Sequence, residues 1–560
     1  MAFSRSVKKR AAQVAAGIAL IAATITVPAH APRAQAASTQ PLVVAYGPTS
    51  SFVRNFNPFN YTSVDPFTQA GVFEPLYIVT DVNGKQTPWL ATSYAYSDGL
   101  KTLTFTVRQG VKWSDGQPFT ARDVYFTIML GKKYNALDRV GFNTGDVTSV
   151  TMPSSTQVAI HFKTADSTRF ENLVNNLYIV PEHTWSTVKD PVNFLNPNPV
   201  GTGPFTQVQN FSSQGFDLAR NPYYWQKEQV SAIRVPAYSG NDAADVAIEA
   251  GQVDWGTVFV PNYQKTFVAR DPQHNHVNTQ PFSTEMLMMN NKQYPLSLPA
   301  FRKALSLDLY RQAFNVAAWF GQNPPSDITG LKGVWSSWIN PGIPNTLAQY
   351  NPAAARAMLL KAGFTYTNGH LMDPKGKPVS LSIIDNQGYT DYIAVSQIIE
   401  QTFKALGIDF SIRLLQGSAV TSAEQEGNFQ LALDLAPSGA TPYFFYHDLL
   451  SSASNNFAPI GTAIPGGSNW GRYQNPQIDQ LLAQFRHTND QAQQKSIMGN
   501  IEKIFTNDLP YIPLNAGTVT YEYNTQHYTG FPTASDSYAS GANWRSPDRL
   551  FVLTRLTPAQ

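Results

Sequence analysis

Leu103-Thr104-Phe105-Thr106-Val107-Arg108-Gln109-Gly110-Val111-Lys112-Trp113-Ser114-Asp115-Gly116-Gln117-Pro118-Phe119-Thr120-Ala121-Arg122-Asp123-Val124 is the most informative stretch of the chain. Leu103 to Arg108 alternates apolar and polar residues, the period-2 pattern of a strand with one buried face. Gln109-Gly110 then reads as a turn, and Trp113 to Pro118 as a second turn-rich segment. Thr120-Ala121-Arg122-Asp123 opens a helix. Thr120 is the expected N-cap, and Asp123 falls in the first turn, where a carboxylate meets unpaired N–H groups and the positive end of the dipole. Val124, Phe126, Ile128 and Met129 are the expected apolar side of that helix.

The same alternation of strand and helix extends outward in both directions. Leu42 to Tyr46 is a short β-rich run. Asn351-Pro352 starts a helix, with Asn351 as N-cap and Pro352 at N1. Ala354, Ala357, Met358 and Leu360 give it an apolar side, and Gly363 ends it. A strand through Val379, Leu381 and Ile383 follows, then a helix from about 392 to 406 stopped by Gly407, then a strand from Phe410 to Leu415. This β-helix-β order predicts a lobe built on a sheet with covering helices. Ile478–Phe485 and Gln491–Phe505 are the last strong helical patterns.

Length and composition bound the class. The 560 residues predict roughly three domains at about 150 residues each. Hydrophobic residues make up 42%, enough for a large core, whereas charged residues are only 14%, against about 25% in typical soluble domains. An acidic medium, in which carboxylates lose charge and pairing value, is one physical reason for so low a figure.

Arg5, Lys8, Lys9 and Arg10 precede an apolar run from Ala11 to Val27, and Ala34-Gln35-Ala36 is a small-x-small site; together they read as a signal peptide over 1–36. The alternative is a membrane anchor, which the shortness of the run disfavours. Removing the five basic residues of 1–36 leaves 35 basic against 38 acidic, a net of −3, which argues against a nucleic-acid partner. With no cysteine in the chain, disulfides, thiolate metal sites, a cysteine nucleophile and a lipidated N-terminal cysteine are all excluded. The expected location is therefore outside the cytoplasm, periplasmic or extracellular, with retention at the envelope by other contacts left open.

The block Leu103–Val124 resembles the signature of family-5 extracellular solute-binding proteins, which bind oligopeptides, dipeptides, nickel chelates or oligosaccharides. Other family landmarks follow in order: Asn57-Pro58-Phe59, Val72-Phe73-Glu74-Pro75-Leu76, Gly201-Thr202-Gly203-Pro204-Phe205, Arg220 to Trp225, Gly251 to Trp255 and Phe301 to Leu305. The resemblance implies an α/β, bilobal periplasmic-binding-protein-like fold with an additional domain inserted in the first lobe. Carried over by motif order, the first lobe takes 37–80, 201–281 and 525–560, the inserted domain 81–200 and the second lobe 282–524. Two chain crossings, near Phe282 and Asn524, then form a hinge. The implied protein is not an enzyme. It is a monomer without cofactor or metal that delivers its solute to an ABC permease in the membrane.

Peptide binders of the family place an acidic residue near the position of Pro437 or Ser438 here, and neither is charged. The resemblance of Thr441-Pro442-Tyr443-Phe444-Phe445, of Asn469 to Tyr473 followed by Asn475-Pro476, and of Tyr528 to Thr533 leading to Tyr538-Ala539 is instead to the oligosaccharide-binding branch. Aromatic rings suit the apolar C–H faces of sugars, and neutral polar groups suit their hydroxyls. A neutral oligosaccharide, with β-linked gluco-oligosaccharides as one example, is therefore the expected solute, with an oligopeptide as the alternative. The candidate platforms are Trp255, Trp335, Trp338, Tyr443, Phe445 and Trp470. Core packing competes for Trp255 and surface packing for Trp335 and Trp338, whereas Tyr443, Phe445 and Trp470 are expected in loops of the second lobe. Asn290 is a candidate hydroxyl partner or a turn former. Asp434 is a candidate acceptor or a structural hydrogen-bond partner beside a sheet.

Other signals have ordinary readings. His274-x-His276 lacks a third ligand nearby and reads as a solvated loop. Met286, Met288 and Met289 read as core filling. Gly201-x-Gly203 lacks the third glycine of a dinucleotide fingerprint, and no G-x-S-x-G elbow or H-E-x-x-H helix occurs. A secreted glycan-active enzyme remains the competing class, since paired carboxylates have no linear signature. Oligopeptide and oligosaccharide are separated by whether an unpaired carboxylate faces the cleft.

Overall fold

The computed structural model describes residues 40–60, 64–80, 82–142, 145–453, 456–464 and 467–559. The signal peptide expected over 1–36 lies outside them. No described helix is long and apolar enough to cross a membrane.

One ten-stranded sheet organises the fold. Its strands are β1 (Leu42–Ala45), β6 (Phe205–Ser212), β7 (Gly215–Arg220), β8 (Ala232–Pro236), β9 (Trp255–Gly256), β10 (Asn275–Met289), β11 (Ser380–Asn386), β12 (Asp409–Leu415), β13 (Leu431–Leu435) and β14 (Ile512–Asn524). They lie in the order β12-β11-β13-β10-β14-β9-β1-β8-β7-β6. A separate antiparallel sheet, in the order β2-β3-β5-β4, is formed by β2 (Ala91–Ser97), β3 (Thr102–Val107), β4 (Val147–Ser154) and β5 (Gln157–Phe162). It lies inside the segment assigned by resemblance to the inserted domain.

The opening stretch folds as its pattern predicts. Leu103, Phe105 and Val107 bury one face of β3. Helix α1 spans Ala121–Lys133 and starts on a complete capping box, with the Thr120 side chain accepting from Arg122 N and Asp123 accepting from Thr120 N. The buried side of α1 is Val124, Thr127, Ile128 and Gly131; Phe126 and Met129 are half-buried. Helix α2 spans Arg169–Asn176, within the same segment. Helix α3 (Pro352–Lys361) is capped by Asn351, which accepts from Ala354 N at 3.0 Å. Its core contact is through Ala355 and Leu359, one residue on from the expected face, and Leu360 is exposed.

The second lobe contains the expected β-helix-β unit. Strands β11 and β12 are parallel from Ser380↔Asp409 to Asn386↔Leu415, with α4 (Thr390–Ala405) between them. Strand β13 joins β11 in parallel at Ile383↔Leu431, so β11, β12 and β13 present their carboxyl ends on one side. Helices α5 (Gly417–Glu426), α6 (Pro442–Leu450), α7 (Pro476–Arg486) and α8 (Gln491–Asp508) complete the lobe.

Strands β10 and β14 carry the chain between lobes. They pair antiparallel from Asn275↔Asn524 to Leu287↔Ile512, with register breaks between Pro281 and Thr284 and between Glu285 and Met286. At one end β14 pairs with β9 of the first lobe. At the other, β10 pairs with β13 of the second. Such breaks bend a ladder locally. Met286, Met288 and Met289 are fully buried here.

Candidate functional site

The two lobes touch at both ends of the cleft between them. At one end Asn241 N donates to Gly388 O at 3.0 Å, and Asn241 Nδ2 to Asp391 Oδ1 at 3.2 Å. At the other, Ala440 N donates to Glu171 Oε1 at 2.7 Å, Ser167 N donates to Arg486 O at 2.8 Å, and Arg486 Nη1 lies 3.4 Å from Asp166 Oδ2. Two cavities lie along this cleft, of about 590 Å³ and about 320 Å³. The larger falls in the range that holds a ligand of several hundred daltons.

The larger cavity sits where open α/β sheets bind ligands, outside the carboxyl ends of parallel strands. Asp385 and Asn386 end β11, Gln416 follows β12, and Leu433 and Asp434 lie near the end of β13. Tyr46 and Pro48 follow β1 on the first-lobe side, with Asp65 beside them. Helix α5 crosses the strand ends and contributes Glu424 from its last turn. From α4 and the turn before it come Tyr392 and Tyr389.

Four carboxyl groups stand among the hydroxyl, amide and aromatic side chains of this wall. Asp65, Asp385, Glu424 and Asp434 all line it, and no Lys, Arg or His is found among its described lining residues. Burial pushes Asp434 and Asp385 up to about 7, against the hydrogen bonds they accept from Leu435 N and from Ser396 Oγ and Asn386 N. Asp65 is raised to about 7 by burial, although it accepts from Asn55 N at 2.9 Å. Glu424 rises well above the ordinary range, first through burial and then through the charges of Asp434 and Asp385. Its place in the last turn of α5, at the negative end of the helix dipole, works in the same direction. Behind this wall Tyr392 donates to Glu285 Oε2 at 2.7 Å, and burial raises Glu285 to about 8.

The smaller cavity has a different lining. Glu171, Asn172 and Asn175 come from α2, Ser438 and Phe444 from the second lobe, and Trp544 from the C-terminal segment. Asn175 Oδ1 is buried with no hydrogen-bond partner among the described residues. Pro437 and Ser438, the positions at which the family resemblance implies an acid in peptide binders, lie on this cavity.

Of the candidate platforms and polar partners named from sequence, only Asp434 lines either cavity. Trp255 is fully buried, donates Nε1–H to Gly541 O at 2.7 Å and packs against Phe67 and Phe531. It is a core residue, with no ring face left for a solute. Trp335 is buried on Phe445 and bonds Gly439 O at 3.0 Å. Trp338 is buried, its ring tilted 40° against the α7 residue Phe485 at 6.4 Å between centroids. Tyr443 stacks on Phe485 with centroids 5.0 Å apart, and Phe445 is fully buried. Trp470 is half-buried against the second-lobe core. Asn290 is buried and donates Nδ2–H to the carbonyls of Gly427 and Phe429 at 2.8 and 3.0 Å. It ties two backbone segments together rather than reaching a hydroxyl.

The reason for the aromatic misplacement is local. Thr441 to Tyr446 is not a loop but the start of α6, with Thr441 as N-cap and Pro442 at N1. Helical spacing sends Tyr443, Phe445 and Tyr446 inward and leaves Phe444, which lines the smaller cavity, on the other side. The Thr-Pro pair was itself the signal for a helix start. Asp385 and Glu424 carry no comparable mark in the sequence.

Known proteins place this architecture. The family model described as bacterial extracellular solute-binding proteins, family 5 Middle, matches residues 85–457. The nickel-binding periplasmic protein of Escherichia coli is 25% identical over 482 residues, covering 82% of this chain and 86% of its own. The oligopeptide-binding protein AppA of Bacillus subtilis is 22% identical, covering 80% of each chain. Among solved structures, a mannohexaose-bound periplasmic oligopeptide-binding protein of Thermotoga maritima superposes with a TM-score of 0.81 at 24% identity, covering 92% of this chain and 98% of its own. AppA of Bacillus subtilis in complex with a nonapeptide gives 0.78 at 21% identity, covering 93% and 100%.

Proposed function

The chain belongs to the bacterial extracellular solute-binding proteins of family 5 and serves an ABC importer as its solute-binding component, and from that premise we propose that its solute is an oligopeptide, not the neutral oligosaccharide expected from its aromatic residues. One observation carries this reading. The larger cavity presents four carboxyls and no basic side chain among its described lining residues, and none of the aromatic platforms expected from sequence lines it; its own rings are Tyr46, Phe52, Tyr389 and Tyr392. A peptide brings the ammonium group such a wall selects, and its amides can use the hydroxyl and amide groups of Ser50, Ser418 and Gln416 around it.

Capture follows from closure. A solute touching both lobes favours the closed arrangement by its differential affinity for that state, with β10 and β14 as the flexing connection. The closed form then docks on a membrane permease, and the solute leaves chemically unchanged. The smaller cavity favours a second reading, in which Phe444, Trp544 and the asparagines of α2 hold a sugar unit. Isothermal titration of the mature chain against tri- to pentapeptides and against gluco- and manno-oligosaccharides separates the two. Peptide binding is expected; tight binding of a neutral oligosaccharide with no peptide bound would sink the peptide reading.

A further inference from the structure

We propose that Asp385, Glu424 and Asp434 form a receptor for an organic cation, a primary ammonium or guanidinium group carried on the solute, in the larger cavity and apart from the Ser438 position. The inference deepens the solute-capture reading and rests on it. Its central observation is Glu424. This side chain is 5% exposed, lines the cavity, and has no hydrogen-bond or ion-pair partner among the described residues. A buried carboxyl without a partner is costly, and such sites persist where a ligand supplies what is missing.

The neighbours of Glu424 define what fits. Asp434 on β13 and Asp385 on β11 are its charged neighbours. Tyr389 and Tyr392 stand on the α4 side, and Asp65 and Tyr46 on the first-lobe side. Glu285 and Asp391 lie behind and are also acidic. The titratable groups that share the cavity with Glu424 are therefore acids and phenols, while Arg472 donates to Gln425 O at 2.6 Å at the end of α5. Among the described residues no group of three or more His, Asp or Glu is placed to hold a metal ion; a cation that meets carboxyls on separate elements needs several N–H donors. Ammonium and guanidinium groups have that donor geometry, and tyrosine rings beside them add cation–π attraction.

Protonation follows from the same geometry. With the cavity empty, the acids repel one another and hold protons near neutral pH. An entering cation favours the charged forms and displaces those protons, so affinity for it rises with pH through about 7.

The test uses the mature full-length chain and isothermal titration at pH 7.5 and 5.0. The probes are N-acetylated Ala-Ala-Ala, Ala-Lys-Ala and Ala-Glu-Ala, in which the lysine ammonium is the one cation on any of the peptides, and cadaverine. At pH 7.5 Ala-Lys-Ala is expected to bind at least about tenfold more tightly than Ala-Ala-Ala. The preference should shrink at pH 5.0, and buffers of different ionisation enthalpy should reveal proton release. Glu424→Gln combined with Asp434→Asn should reduce the preference to under about threefold, with a far-UV spectrum and melting curve confirming that the variant is folded. If the double variant does not fold, Glu424→Gln alone is read the same way. Equal binding of all three peptides overturns the cation receptor and leaves the peptide reading standing. Binding of cadaverine that depends on Glu424, with no peptide bound, supports the receptor and removes the peptide reading. A lysine preference that survives the double variant overturns the assignment to these carboxyls, and binding of neither peptide nor cadaverine overturns both.

Discussion

Replacing Trp255 separates a core tryptophan from a cleft tryptophan. In the structure its ring is fully buried between Phe67 and Phe531, and its indole N–H is bonded to Gly541 O at 2.7 Å. Truncating a buried Trp to Ala costs about 3–5 kcal/mol through lost burial and the cavity left behind. The orphaned Gly541 carbonyl adds about 1–2 kcal/mol where water cannot reach it. Trp255→Ala is therefore expected to lose about 5 kcal/mol. Trp255→Phe keeps most of the ring contact, loses the hydrogen bond, and should cost about 2 kcal/mol. Urea unfolding followed by far-UV circular dichroism measures both, as a shift of midpoint at constant slope. Solute affinity, measured where Trp255→Phe is still folded, should stay within about twofold of the parent. Loss of solute binding by Trp255→Phe without loss of stability would refute the burial argument, because only a ring facing the cleft behaves that way.

Stability should fall as pH rises. A carboxyl raised on folding binds its proton more tightly folded than unfolded, so its contribution is complete below the unfolded value and lost as pH climbs through the folded one. For Asp385, raised from 3.8 to about 7, the loss between about pH 4 and 7 is about 4 kcal/mol; Asp385→Asn should remove that part of the slope, and a urea midpoint that is flat or rising over this range in the parent would contradict it. Asn290→Ala leaves the Gly427 carbonyl without its donor, while Phe429 O keeps Gln293 Nε2 at 2.9 Å, and should cost about 1–2 kcal/mol with no change in titrated solute affinity. Arg486→Met removes the ion pair to Asp166 across the closed cleft while Asp166 keeps Arg169 at 3.1 Å. Solute affinity should drop about fivefold and the radius of gyration by X-ray scattering should rise; an unchanged radius and affinity would show that this contact does not hold the lobes together.

Much of the fold was legible because its signals are local. Thr120 and Asp123 cap α1, and Asn351 and Pro352 start α3, through bonds within four residues of each position. The parallel pair β11 and β12 was written as two apolar runs flanking a helical one. What local pattern did not fix was which way a helix turns its face. Helix α1 buries Thr127 and Gly131 rather than Phe126 and Met129, and α3 buries Ala355 and Leu359. In α3 an Ala-rich sequence offers several weakly apolar faces. The choice falls to the neighbouring helix Pro299–Asp308, against which α3 packs. Composition alone does not carry that information.

The site was less legible for a reason that also says what kind of site it is. A ring that would suit a sugar face suits a hydrophobic core equally well, and in a chain this rich in aromatics the core takes most of them: Trp255, Trp335, Tyr443 and Phe445 are all buried. The carboxyl wall obeys the opposite rule. Asp385, Glu424 and Asp434 stand on two strands and a helix, and they meet only because β11 pairs in parallel with β13 while α5 folds back over the strand ends. No spacing in the sequence marks them, since their proximity is a product of sheet register and crossover. Acids brought together this way, with no basic side chain among the described lining residues, weaken the empty protein at neutral pH. Core packing gives no reason to assemble them, because leucine or methionine would fill the same volume without that cost. A solute that brings the missing positive charge does give one.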